Sequence, residues 1–178
     1  MAKKVFKADL SISSISELKN QLIAYKSDFL QVKLEELLQK ISEKGVEIAR
    51  ANITQLDAIF TGELINSIQV KKGSTSFGSA IFFIVADSKH AAFVEFGTGQ
   101  LGFEGGYPYP FPNGVQWEYN TGSTIFEIEP GQYGWFYNRD GQWYFTQGMP
   151  SRPFMHETFI ELAMEVNKIA KEVFGRRV

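Results

Sequence analysis

DFLQVKLEELLQKISEKGVEIARANI, residues 28–53, decides the fold. Leu30, Leu34, Leu37, Leu38, Ile41, Ile48 and Ala49 recur at three- and four-residue steps, while Lys33, Glu36, Lys40, Glu43, Lys44 and Glu47 take the other face. Strand residues alternate with period two, so this spacing predicts an amphipathic α-helix, with Asp28 as its N-cap. At 1.5 Å per residue it runs about 39 Å. That is long for a small domain, and its apolar stripe needs cover from the protein's own sheet or from another copy.

Upstream, VFKADLSI (5–12) alternates well enough to predict an edge strand. The capping box Ser14-Ile15-Ser16-Glu17 then predicts a separate short helix ending near Tyr25. Downstream, Thr61-Gly62-Glu63-Leu64-Ile65-Asn66-Ser67 reads as a capped turn or one-turn helix. SIQVKK and AIFFIVAD follow, separated by the Gly73–Gly78 loop, and predict an antiparallel pair. The second run is apolar enough for a central strand.

A C-terminal helix opens at Pro153, with Met155, Phe159, Leu162, Val166, Ile169 and Val173 as its stripe. Glu157 and Glu161 near its start and Lys168 and Lys171 near its end suit the helix dipole. The tail GRRV reads as frayed. These elements predict one α+β domain over residues 1–178: an antiparallel β-sheet of about four to six strands packed by the long helix and the C-terminal one.

Composition shifts between residues 90 and 148. Glu95, Glu104, Glu118, Glu127, Glu129 and Asp140 face one base, Arg139, and Trp117, Trp135 and Trp143 all fall here. GFEGGYPYPFPNG is a glycine- and proline-rich loop. YGWFYNRDGQWYFT predicts an aromatic hairpin, turned at Asp140-Gly141.

The bulk numbers narrow the function. The chain has 178 residues, a formal net charge of −2 and no cysteine. That leaves no basic excess for phosphate and excludes disulfides, thiolate metal sites and a cysteine nucleophile. The basic N-terminus lacks a signal peptide's apolar region and no run is long enough to span a bilayer, so a protein folded in a cytoplasm is expected, with no membrane partner. The sequon Asn52-Ile53-Thr54 is then accidental.

Gly97-Thr98-Gly99-Gln100-Leu101-Gly102 spells G-x-G-x-x-G, but a dinucleotide site needs a helix to open there, and FEGGYPYPFPNG predicts none. His90 and His156 lack ligand partners at helical spacing, so no metal is assigned. Acids are plentiful, yet nothing singles out a catalytic pair. The aromatic hairpin lacks the interleaved Lys and Arg of a nucleic-acid platform. Its aromatics suit a protein surface, with Trp135, Tyr137, Trp143 and Tyr144 as interface candidates, or else a carbohydrate or peptide.

Three segments stand in order around these features: Thr61-Gly62-Glu63-Leu64…Ser67-Ile68, Phe93-Val94-Glu95-Phe96-Gly97-Thr98, and Met149-Pro150-Ser151-Arg152-Pro153-Phe154. Together, lying between one long helix and a C-terminal one, they resemble the HK97 gp10-like family of tailed-phage morphogenesis proteins, from about residue 14 to 174. Members are neck or tail-completion components at the head–tail junction of long-tailed phages. Two departures stand out. Family members often carry Pro-Val-Asp before the Thr-Gly, where this chain has Asp57-Ala58-Ile59-Phe60, and the Gly99–Gly148 segment is long. A Tyr/Trp-rich insert before Pro-x-x-Phe nevertheless resembles some members.

The resemblance implies a structural protein, not an enzyme, with no cofactor or metal. Its partners would be itself, as a ring or other homo-oligomer, and neighbouring neck, tail-terminator or tail proteins. DNA would pass nearby without specific binding, and the protein would move from the host cytoplasm to the virion. The family pattern carries over to Thr61, Gly62, Glu63, Leu64, Glu95, Phe96, Gly97, Thr98, Arg152, Pro153 and Phe154. It also implies a role for Glu95, an acid inside the apolar run AAFVEF. Glu95 would latch the turn, either by pairing with Arg152 or by accepting N–H groups at the start of the C-terminal helix. A solvent-facing acid on a frayed loop is the other reading.

Overall fold

The computed structural model describes residues 11–58, 62–73, 80–104, 106–112, 114, 115, 117 and 125–175. The expected first strand lies outside these residues except for its last two. Thr61, Glu118, the interior of the Gly73–Gly78 loop and the last three residues of the tail also lie outside. Among the described residues the fold is α+β, as expected, with two small antiparallel sheets.

Helix α1 (Ile12–Gln55) is one rod of 44 residues, about 66 Å long. The expected separate short helix does not exist, and Asp28 opens no second one. No glycine or proline lies between Ile12 and Asp28, so nothing interrupts the backbone ladder. Ser11 is the N-cap, its hydroxyl accepting the Ser14 N–H at 3.2 Å. Glu17 accepts from the Gln21 amide one turn on, at 3.3 Å, in place of closing a capping box. Ser11 and Ile12 are thus cap and first helical residue, not the end of a strand.

Helix α5 (Phe154–Phe174) runs antiparallel along the second half of α1. Asn52 donates to the Thr158 hydroxyl at 3.3 Å, and that hydroxyl donates to the Phe154 carbonyl at 2.6 Å. The buried line on α5 is Phe154, Thr158, Ile169 and Val173, so the expected stripe is displaced at its start. Phe159 is 71% exposed and Thr158 only 2%. A threonine is tolerated there because its hydroxyl is satisfied twice.

Helix α2 (Glu63–Ser67) leads into β1 (Ile68–Lys72), which pairs with β2 (Phe82–Ala86) from Ile68↔Ala86 to Lys72↔Phe82. Among the described residues this sheet has two strands, so there β2 is an edge and not the central strand expected. Its inward residues Ile84 and Ala86 pack toward the core while Phe83 is half exposed. The second sheet is β3 (Phe126–Glu129), β4 (Gln132–Arg139) and β5 (Gln142–Thr146). Asp140 and Gly141 make its expected turn, with φ of 53° and 84°.

The core cluster is Ala49, Ile53, Leu64, Ile68, Val94 and Phe154. All three motif segments contribute to it: Leu64 and Ile68 from the first, Val94 from the second and Phe154 from the third.

Candidate functional site

The three segments meet at one junction. Helix α3 (Ala91–Phe96) ends at Gly97, whose φ of 79° and ψ of 171° lie where side chains are rarely tolerated. A Cβ on Gly97 would sit 2.8 Å from the Ser151 nitrogen and 2.9 Å from the Gly102 Cα. Contrary to expectation the glycine motif does open a helix: α4 (Gly99–Glu104), six residues long, begins at its second glycine and takes in Phe103 and Glu104. The Pro-rich loop begins only after that single turn is complete. The motif glycines serve close approach of chain to chain. A Cβ on Gly99 would lie 2.6 Å from the Trp135 ring.

Glu95 projects from α3 to the first turn of α5. The Met155 N–H donates to its Oε2 at 2.8 Å and the His156 N–H to its Oε1 at 3.1 Å. Of the two latches expected, the structure has the one made by backbone. Arg152 binds elsewhere: its N–H donates to the Val94 carbonyl at 2.7 Å and its Nε to the Leu56 carbonyl at 3.1 Å. The Ser151 hydroxyl donates to the Glu95 carbonyl at 2.5 Å, and the Met149 N–H donates to the Thr98 hydroxyl at 3.1 Å. Thr98 also bridges to Met149 in the antiparallel sense, beside Gly99↔Gly148 in β6 (Gly148–Met149).

Glu95 is 6% exposed. Burial pushes its carboxyl above the ordinary glutamate range, the two N–H donors pull against that, and the charge of Glu157 adds to the rise. An acid so placed satisfies two helix-terminal donors that have no acceptor of their own. Its chemistry is that of a cap supplied from another element.

The remaining motif residues surround this cap. Gly62 is the left-handed N-cap of α2, with φ of 76°. Glu63 opens α2 and accepts from the Ser88 hydroxyl at 3.4 Å. Pro153 is the N-cap of α5. The Phe96 ring lies 5.0 Å from Tyr107, 5.5 Å from Phe111 and 5.2 Å from Trp117. The aromatic loop is therefore a strap over the junction. Trp117 fastens it by donating to the Gly97 carbonyl at 2.9 Å. Tyr109 stacks on His156 and donates to Glu157, which raises the Tyr109 hydroxyl above its usual pKa.

Of the interface candidates, Trp135 is buried against Gly99, so it is not surface. Counting aromatics along a strand misses this, because the glycine that admits the ring lies on another element. Tyr137 and Tyr144 stack at 5.7 Å and stay exposed, and Trp143 is 69% exposed. A groove of about 540 Å³ runs between this hairpin and α2–α3, lined by residues including Leu64, His90, Phe93, Trp135 and Tyr137.

Gln100 carries no signal of its own in the sequence, yet it joins the hairpin sheet to the junction. Its Oε1 accepts from the Tyr133 N–H at 2.8 Å and the Gln147 amide at 2.9 Å. Its Nε2 donates to Glu104 at 2.7 Å and to the Gly131 carbonyl at 2.8 Å. Only the glycines around it could have drawn attention to it.

Among the described residues, no three His, Asp or Glu side chains gather as a metal site, and no helix is long and apolar enough to cross a membrane. Comparison with protein-family models, with curated proteins and with solved structures finds no match.

Proposed function

We propose that the protein is a structural virion-assembly component of a tailed phage or prophage, a neck or tail-completion part of the head–tail junction. The observation that carries this reading is the convergence of the three motif segments. Leu64, Val94 and Phe154 share one core cluster, and Glu95 ties the second segment to the third. Residues that resemble the family pattern hold each other's backbone and so keep the part in shape. Neighbours would dock on apolar surface, which is plentiful: Phe103, Trp143, Phe159 and Met164 are 89, 69, 71 and 70% exposed. Copies would close into a collar or docking ring, and the acidic 90–148 segment would let DNA slide without sticking.

The second reading is a carbohydrate- or peptide-binding module. The groove beside Tyr137, with Trp143 exposed on the same hairpin, favours it. Light scattering over a concentration series, with electron microscopy of the assembled species, separates the two. Oligomers or rings, together with portal, capsid and tail-tube genes beside its own, are expected. A strict monomer that binds an oligosaccharide or peptide saturably would replace the first reading with the second.

A further inference from the structure

We propose that residues 15–32 of α1 associate with the same segment of a second copy as a parallel coiled coil. This rests on the self-association in the proposed function and names its surface; it does not need the phage assignment.

The first observation is reach. Stepping antiparallel from the Asn52–Thr158 contact at equal rise, α5 ends beside about residue 36 of α1. The N-terminal part of α1 extends past that end, and every residue from 19 to 32 is exposed. Ile15, Leu22, Phe29 and Val32 are 50, 45, 37 and 66% exposed. Hydrophobic side chains in such a row on a projecting helix mark an interaction surface.

The second observation is spacing. Ile15, Leu18, Leu22, Tyr25, Phe29 and Val32 follow one another at steps of three, four, three, four and three. That is a heptad seam, with Ile15, Leu22 and Phe29 at a and Leu18, Tyr25 and Val32 at d. It differs from the Ile41–Ile53 stripe that packs inside the domain.

The third observation is charge, and it selects the partner. The e positions are Lys19, Lys26 and Lys33, and the g positions are Gln21, Asp28 and Glu35. In a parallel pair each g residue faces the e residue of the next heptad on the other chain. Gln21 then meets Lys26, Asp28 meets Lys33, and Glu35 meets Lys40 of the second copy. An antiparallel pair would set lysine against lysine along one edge. Lys33 and Glu35 also have partners in their own chain, Glu36 at 2.6 Å and Lys72 at 3.2 Å. The seam is therefore complementary to itself in the parallel sense.

The 178 residues include no cysteine, which makes cross-linking specific. Leu18→Cys under oxidation should give a linked dimer, because d residues face each other in a parallel pair. Leu22→Asp should abolish association and leave the thermal unfolding of the dilute monomer unchanged, since Leu22 is exposed in the single chain. Asp28→Lys alone and Lys33→Glu alone should each weaken association roughly tenfold, by setting like charges together. Mixing those two chains should restore it, because opposite charges then face each other again at both g–e contacts of the mixed pair.

Linking of Leu18→Cys only to Phe29→Cys would overturn the parallel orientation. An oligomer that keeps its mass in Leu22→Asp and gives no Leu18 cross-link would overturn the seam while leaving self-association intact. A wild-type monomer at every concentration would overturn both.

Discussion

Glu95 accepts the Met155 N–H at 2.8 Å across 60 positions of chain. Its other oxygen takes the His156 N–H. The N-cap of α5 is Pro153, which makes no side-chain capping bond, so these donors depend on Glu95. Glu95→Ala leaves both unsatisfied. Glu95→Gln keeps one acceptor and turns an amide donor toward the other N–H. Each substitution is expected to cost about 1–2 kcal/mol. For a chain of this length that is roughly 2–8 °C in Tm. Calorimetry showing an unchanged Tm in both variants would mean that the junction does not rely on the carboxylate.

The pH dependence follows from the direction of the Glu95 shift. Burial raises this carboxyl above its unfolded value despite the two N–H donors. A group that binds its proton more tightly in the fold adds stability as pH falls through the folded pKa, and the gain levels off below the unfolded one. The Tm gap between wild type and Glu95→Ala should therefore widen from pH 7 toward pH 4. Comparing the two chains cancels Glu36 and Asp87, which are shifted the opposite way by Lys33 and Lys71. A gap that narrows in acid would show that the fold prefers the ionised form.

Gly97 and Gly131 share a positive φ, 79° and 84°, but not their surroundings. A Cβ at Gly97 meets the Ser151 nitrogen at 2.8 Å, and one at Gly131 meets nothing within 4 Å. Gly131→Ala should cost about 1 kcal/mol, the conformational penalty alone. Gly97→Ala adds collision with backbone that cannot swing aside and is expected to cost about 3 kcal/mol or more. Urea midpoints measure both. Equal losses would mean that the turn relaxes freely and is no anchor for the junction.

What is legible in the sequence is local. The stripe through Ile41, Ile48 and Ala49 and the Asp140-Gly141 turn need only neighbours a few residues away, whereas Leu30 and Leu34, read as part of the same stripe, are 41 and 46% exposed. The division into two sheets is not legible, because it depends on how the β3–β5 hairpin is attached. That attachment runs through Gly99, Gln100 and Gln147, scattered along the chain. Ser14 and Asp28 are good cap residues, yet caps act only where a helix already stops, and no breaker stops this one. Thr158 does not stand out, because a polar residue in a core line is acceptable only once its hydrogen bonds are known. Glu95 is conspicuous as an acid in an apolar run, but its donors are supplied by the other end of the chain.

Gln100 supports the last prediction. All four of its contacts cross between α4 and the hairpin region or close on α4 itself. Gln100→Ala removes them together, while the burial of Trp135 against Gly99 persists. Because Gln100 lies outside the α1–α5 core, global stability should fall by only about 1 kcal/mol. Local opening is another matter, since a segment's exchange follows the contacts that hold that segment. Amide hydrogen exchange should accelerate in β3, β4 and β5 while α1 from Ile41 to Ile53 and α5 keep their protection. Gln100→Glu should give a weaker version: it still accepts from Tyr133 and Gln147 but repels Glu104. Uniform acceleration across the chain would show that hairpin and helices open as one unit, and that Gln100 is not the tie between them.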